Sequence, residues 1–233
     1  FASAFSVFTP VFAIVVSGIP STMARLTAEN YALERFSNIR HTKRTAFCLF
    51  TIISTVAAAV MILTSDFLSR HVVGEPSTKY ALMCVAPSII FCTIMSVERG
   101  YCEGLQNMIP TAVSEVIETL FKLILGLGFA YGLMYHMSDM YDKTGMIFGT
   151  AYADPRQAAS AALPFIAAAA ILGSSIASAI ACLYILISSK IKGDSVTKQM
   201  LQRDTITDPT GATAKKLVAC CLPIALISVI MTF

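Results

Sequence analysis

The sequence predicts an all-α fold, a polytopic bundle of transmembrane helices, and three observations carry that prediction. Hydrophobic residues fill 56% of the 233 positions and charged residues only 13%, whereas a soluble domain carries about 25% charge. The apolar residues gather into runs long enough to cross a hydrocarbon core of about 30 Å, which takes about 20 residues at 1.5 Å each. The lysines and arginines fall almost entirely between those runs. Such apolar content excludes disordered and collagen-like classes, and a net charge of +3 is too small for a nucleic-acid surface.

In chain order, the first run covers 1–24. It lacks the basic leader of a secretory signal and further runs follow it, so it reads as a span. The second covers 45–67, the third 80–104, the fourth 109–137 and the fifth 158–189. A polar connection occupies 190–216, and 217–233 begins a sixth run that the sequence leaves truncated. Pro10, Pro20, Pro87, Pro164 and Pro223 lie in or at the ends of these runs, where kinks are expected and neighbouring helices can satisfy the freed carbonyls.

Orientation follows from lysine and arginine in the loops. Twelve lie on one side: Arg25, Arg35, Arg40, Lys43 and Arg44, then Arg99, then Lys190, Lys192, Lys198, Arg203, Lys215 and Lys216. The other side carries four: Arg70, Lys79, Lys143 and Arg156. This asymmetry puts loops 25–44 and 190–216 in the cytoplasm and Phe1 outside, so a further span is expected upstream of Phe1. The basic loops read as solvated topology signals, with attraction to anionic membrane lipids as a second use.

Seven cysteines offer no C-x-x-C pair and no histidine at ligand spacing, so they read as small buried hydrophobes rather than a metal or redox site. His41, His71 and His136 form no constellation and read as solvated. Gly126, Gly128 and Gly132 lie inside a helix and follow no strand, which points to close helix packing rather than dinucleotide binding. No phosphate-binding loop of the P-loop type occurs. Transport would therefore draw on an ion gradient, a membrane potential or a downhill substrate.

The fourth span carries the chemistry. Charges inside a spanning helix cost about 2.5–3.5 kcal/mol each and usually face a cavity. Starting a helix near Pro110 puts Glu115, Glu118 and Lys122 roughly 8, 12 and 18 Å along it. With Thr111 they fall within about 60° on one face at 100° per residue. Glu118 and Lys122 are also an i,i+4 pair in the favourable order, so a helix-packing ion pair competes with a substrate or ion cavity. The short link 105–108 makes spans three and four a hairpin and brings Arg99 to the cytoplasmic mouth of this stripe. Arg25, at the inner end of the first span, can approach the same mouth, or both arginines can snorkel to the head groups.

Two stretches, 18–29 (GIPSTMARLTAE) and 99–118 (RGYCEGLQNMIPTAVSEVIE), resemble the stage V sporulation protein B and polysaccharide biosynthesis family of the multidrug/oligosaccharidyl-lipid/polysaccharide exporter superfamily. The resemblance implies an N-terminal six-helix lobe truncated at both ends, with 190–216 as the link to a second lobe, a central cavity and alternating access. It implies outward flipping of a lipid-linked oligosaccharide or a lipid II type cell-wall precursor across the cell membrane. The family pattern more commonly has glutamine at Glu103 and Glu115 and arginine at Lys122, so the carry-over is firmest for Arg99 and Glu118.

The leading expectation is therefore a flippase, not an enzyme and without a cofactor, in which Arg25, Arg99 and Lys122 hold a pyrophosphate-sugar head. A drug or cation antiporter of the same superfamily would instead use Glu115 and Glu118 as proton or sodium sites. A third reading is a non-transporting scaffold for cell-wall enzymes.

Overall fold

The structure is a computed structural model, and the residues it describes are 18–67, 69, 78–144, 146, 147, 150, 151, 155–191 and 207–232. Most of the expected first span, with Pro10, lies outside these residues, as do His71, Arg70 and 192–206 of the polar connection.

The described chain is almost wholly helical. Helix α1 spans Ile19–Ala32, α2 Phe36–Leu63, α3 Thr78–Gly104, α4 Ile109–Thr144, α5 Pro155–Ile191 and α6 Thr210–Thr232, with one further helical turn at Ser65–Phe67. The sequence pattern did not predict a small antiparallel pair, β1 (Met146–Ile147) and β2 (Thr150–Ala151), which pairs Met146 with Ala151 at the α4–α5 connection. Among the described residues, four helices are long and apolar enough to cross a membrane, at Phe36–Leu63, Lys79–Gly104, Ile109–Tyr141 and Ala162–Lys190. The chain is an all-α polytopic membrane protein. Helix α6 begins at Thr210, seven residues ahead of the expected start at 217, because Pro209 provides the first-turn carbonyl that receives the amides of Ala212 and Thr213.

Both short links end the preceding helix in the same way. Glu34 and Gln106 have φ of 58° and 59°, the left-handed region. The following amides reach back, Arg35 N to the Asn30 carbonyl at 2.9 Å and Asn107 N to the Cys102 carbonyl at 2.9 Å. These bonds satisfy carbonyls that a helix end otherwise leaves open.

Helix α3 is the axis of the bundle, packed by α1, α2 and α5. Its membrane-crossing window is 61% buried, against 6% for α4. Leu82, Val85, Ile89 and Met95 of α3 meet Met23 of α1, Ile39 and Phe50 of α2 and Ile185 of α5 in one cluster. Pro87 has no amide for the carbonyl one turn earlier, and beside that gap Ser175 of α5 donates to the Cys84 carbonyl at 2.7 Å. Helix α4 leans on α5 and touches α3 only slightly. Its apolar residues, among them Leu120, Leu123, Ile124 and Leu127, stay exposed, as a lipid-facing surface requires.

Glycine sets two of the closest approaches, at positions other than those expected. A Cβ on Gly100 would collide with the Pro20 carbonyl oxygen, and one on Gly173 would lie 2.6 Å from that of Leu125. Only Gly126 of the expected run 126–132 nears another helix, 3.6 Å from the Ala170 carbonyl, while Gly128 and Gly132 face open space. The expectation of close packing along that run is corrected accordingly, since α5 covers just one edge of α4.

Three polar residues take partners from distant segments. Lys43 is 2.9 Å from Glu98, donates to Ser189 and lies 4.1 Å from the centre of the Tyr101 ring, tying α2, α3 and α5. His41 shares a hydrogen bond with Thr210 at 3.2 Å. Asn38 donates to Asp208 at 3.2 Å and accepts from its amide at 3.1 Å. The starts of α2 and α6 therefore lie together at one end of the bundle. The cysteines are free thiols; Cys92, Cys182 and Cys221 are buried, whereas Cys48 is exposed on α2, which departs from the expected burial.

Candidate substrate site

The divergence of α3 and α4 leaves a cavity of about 450 Å³ between them. Helix α3 lines it with Cys92, Met95, Ser96, Arg99 and Glu103, related by steps of three and four, which is the pattern of a single helix face. Helix α4 adds Glu115, Glu118, Thr119 and Lys122, and the first turn of α1 adds Pro20 and Ser21.

Glu118 is the centre of the wall. Its Oε2 accepts from Arg99 Nη2 at 2.8 Å, and its Oε1 accepts from Lys122 Nζ at 2.6 Å and from Ser178 Oγ of α5 at 3.3 Å. The side chains of Glu118, Arg99 and Lys122 are 10%, 14% and 35% exposed, so the carboxylate is sheltered and the lysine reaches toward water. Arg99 is held a second time by Nε donating to Ser114 Oγ at 2.9 Å, and that hydroxyl donates on to the Thr111 carbonyl at 2.8 Å. Charge-assisted bonds of this length are the strong ones. They fix the guanidinium plane against α4 instead of leaving it to snorkel.

Arg99, Glu115, Glu118 and Lys122 thus face one cavity. Thr111 is buried and takes part through its carbonyl, not from the cavity surface. Arg25 is exposed and does not line the cavity; it sits one turn beyond Ser21 on the same face of α1. The Glu118–Lys122 pair of the sequence is a triad with Arg99. Ser114 and Ser178 had not been singled out. Ser114 lies one turn before Glu118, so the 3.6-residue period could have found it, but nothing local marks Ser178, 60 positions away.

The cavity wall carries two cations, Arg99 and Lys122, against three carboxylates, Glu103, Glu115 and Glu118. Glu118 already engages both cations, and Glu103 and Glu115 form no ion pair among the described residues. An anion entering here meets cations already shared with Glu118 and must use their remaining N–H groups or compete for them, whereas a cation meets two carboxylates that form no ion pair among the described residues.

The sequence profile of the MatE family matches residues 1–127. A segment of 108 residues, 46% of the chain, is 25% identical to Stage V sporulation protein B of Bacillus subtilis (strain 168) and covers 21% of that protein. A segment of 125 residues, 50% of the chain, is 21% identical to Lipid II flippase MurJ of the same strain and covers 23% of it. The aligned part of the chain thus spans under a quarter of the length of either relative. No solved structure matches the chain. The profile takes in the residues that line the cavity, from Pro20 through Arg99 to Lys122, and because it covers more than half of the 233 residues, the chain belongs to the MatE family.

Proposed function

We propose that the intact protein is an alternating-access transporter that flips a lipid-linked saccharide precursor, of the lipid II or oligosaccharide type, outward across the cell membrane. The observation that carries this reading is the sheltered Arg99–Glu118–Lys122 triad on the wall of an open cavity. Charged groups at membrane depth are costly unless they serve a pathway or a partner. Here the carboxylate holds two cations ready and in place, and a pyrophosphate head competes for them while its polyprenyl tail stays in lipid. Arg25, one turn from Ser21, is a further anion contact at the mouth. The likeness to Lipid II flippase MurJ supports the substrate class. The helices described here form part of one lobe, which rocks against a second as other secondary transporters do.

The surplus of carboxylates favours a second reading, a proton- or sodium-coupled antiporter of drugs or cations, with Glu103 and Glu115 as the ion site. The two readings part on the variant Glu103→Gln/Glu115→Gln in the full-length protein. A flippase whose head-group contacts are Arg99 and Lys122 keeps flipping fluorescent lipid II in proteoliposomes, whereas an antiporter loses ion-coupled uptake. A scaffold would leave cells depleted of their lipid II flippase unrescued by any variant, including the unaltered full-length protein.

The proposed orientation has loops 25–44 and 190–216 in the cytoplasm. Single cysteines at Glu34 and Lys215, both exposed, in an otherwise cysteine-free protein should react with impermeant reagents only from the cytoplasmic side. Labelling of either from outside intact cells reverses the assignment.

A further inference from the structure

A second groove, of about 490 Å³, runs between α2 and α6. One wall is a continuous face of α2 from His41 through Arg44 and Cys48 to Ile52, and the other is Thr210 and Ala214 of α6. Its polarity is graded. His41, Arg44, Thr45 and Thr210 stand at one end; beyond Thr45 the walls are Cys48, Leu49, Ile52 and Ala214. The polar end is built in place, since His41 bonds Thr210 and Asn38 bonds Asp208 through both side chain and backbone. Arg44 is exposed and makes no ion pair among the described residues.

We propose that this groove holds one anionic phospholipid of the bilayer, with its phosphate against Arg44 and the first turn of α6 and one acyl chain along Cys48 and Ile52. The fit is one of charge and length. An exposed guanidinium that makes no ion pair among the described residues and the amide end of a helix both favour an anion at the polar end. From His41 to Ile52 the helix rises about 16 Å, of which the apolar stretch from Cys48 to Ile52 takes about 6 Å, so the groove has room for a head group and the first carbons of an acyl chain and stays within one leaflet of the ~30 Å hydrocarbon core. A soluble anion has no use for the apolar half, and an apolar peptide has none for Arg44. On the orientation proposed above, this end meets the cytoplasmic leaflet, where anionic lipids concentrate. The bound lipid then bridges α2 to the start of α6.

The test uses the full-length protein with Cys48 as its sole cysteine, labelled with a bimane fluorophore, in nanodiscs of phosphatidylcholine. Nanodiscs present both leaflets, so the readout does not depend on orientation or on transport. Phosphatidylglycerol carrying a quenching doxyl group on its acyl chain should reach half-quenching at a mole fraction lower by about fivefold or more than doxyl-phosphatidylcholine, the step expected for about one basic residue. Arg44→Gln should erase that preference, while Ile52→Trp, which fills the apolar half, should weaken quenching by both lipids. Lys143→Gln, on an exposed lysine of α4, should change neither. Equal quenching by the two lipids in the unaltered protein overturns the proposal. So does a preference that survives Arg44→Gln, or one that millimolar inorganic phosphate abolishes, which would mark a phosphate site without a lipid. Absence of quenching by either lipid means that another part of the chain fills the groove, and it overturns the proposal as well.

Discussion

Lys122 Nζ lies 2.6 Å from Glu118 Oε1, and the other oxygen of the same carboxylate receives Arg99 from a different helix at 2.8 Å. Glu118 is therefore shared, and the three members of the triad are not equivalent. Removing either cation leaves the carboxylate with one cationic partner and the Ser178 hydroxyl. Removing the carboxylate leaves two cations close together with none.

The first prediction follows from that asymmetry. Glu118→Gln should destabilise the protein by about 2–3 kcal/mol, less than the roughly 3–5 kcal/mol that breaking a fully buried ion pair costs because the cavity admits water, and Lys122→Met by under about 1 kcal/mol. Thermal unfolding of the full-length protein in detergent orders the two. Equal losses would mean that Glu118 does not carry Arg99. If transport fails in Lys122→Met at normal membrane levels and stays lost in Lys122→Met/Glu118→Gln, the lysine acts on substrate; recovery in the double variant makes the pair a packing device.

Ser114 provides the second prediction. Its hydroxyl takes Arg99 Nε and passes a bond to the Thr111 carbonyl, so Ser114→Ala frees one edge of the guanidinium. The expected cost is about 1.5 kcal/mol, the range for a bond to a charged group, with weaker anion competition in the cavity. Ser114→Thr should restore most of both, since it keeps the hydroxyl. A Ser114→Ala protein with unaltered stability and transport would show that Glu118 alone holds Arg99.

How far these features were legible differs from residue to residue. The long runs in α2 to α5 were plain because apolar length is a local property that no partner can disguise. The face shared by Glu115, Glu118 and Lys122 was plain for a similar reason, since helical period is local too. The partners were not. Arg99 and Glu118 lie 19 positions apart on two helices, and the link between them does not say which face of α3 turns toward α4. The same gap misjudged the glycines: spacing names a smooth surface, but only the position of α5 decides that Gly126 and Gly173 are covered while Gly128 and Gly132 are bare. The partners of Lys43 and His41 were hidden because Glu98, Ser189 and Thr210 come from distant segments.

That distinction among glycines gives the third prediction. Gly100→Ala puts a methyl group against the Pro20 backbone, which cannot swing aside, and should cost about 1–3 kcal/mol as overpacking does. Gly128→Ala, where nothing lies within 4 Å, should be neutral or gain about 0.5–1 kcal/mol from a stiffer helix. Detergent melting curves of the two variants should move in opposite directions or, at the least, only the first should fall.

The last prediction concerns the clasp that joins the start of α6 to α1 and α2. The Asn38 amide group donates to Asn30 Oδ1 at 2.8 Å and to Asp208 Oδ2 at 3.2 Å, while its oxygen accepts the Asp208 amide at 3.1 Å. Asn38→Asp keeps the acceptor, loses both donated bonds and sets a second carboxylate against Asp208. Lys216, 3.7 Å from Asp208 and more than half exposed, is too solvated to offset the repulsion. Hydrogen exchange of the first-turn amides of α6 should then accelerate at least tenfold, which corresponds to about 1.4 kcal/mol of lost local stability. The exchanged pair Asn38→Asp/Asp208→Asn restores one donor facing one acceptor and removes the repulsion, but Asn30 Oδ1 still meets a carboxylate oxygen. Its protection should therefore return only part of the way. Full protection in Asn38→Asp would show that packing of α6 against α1, and not the clasp, holds this end of the helix. A double variant no better than the single would place the cost at Asn30 rather than at Asp208.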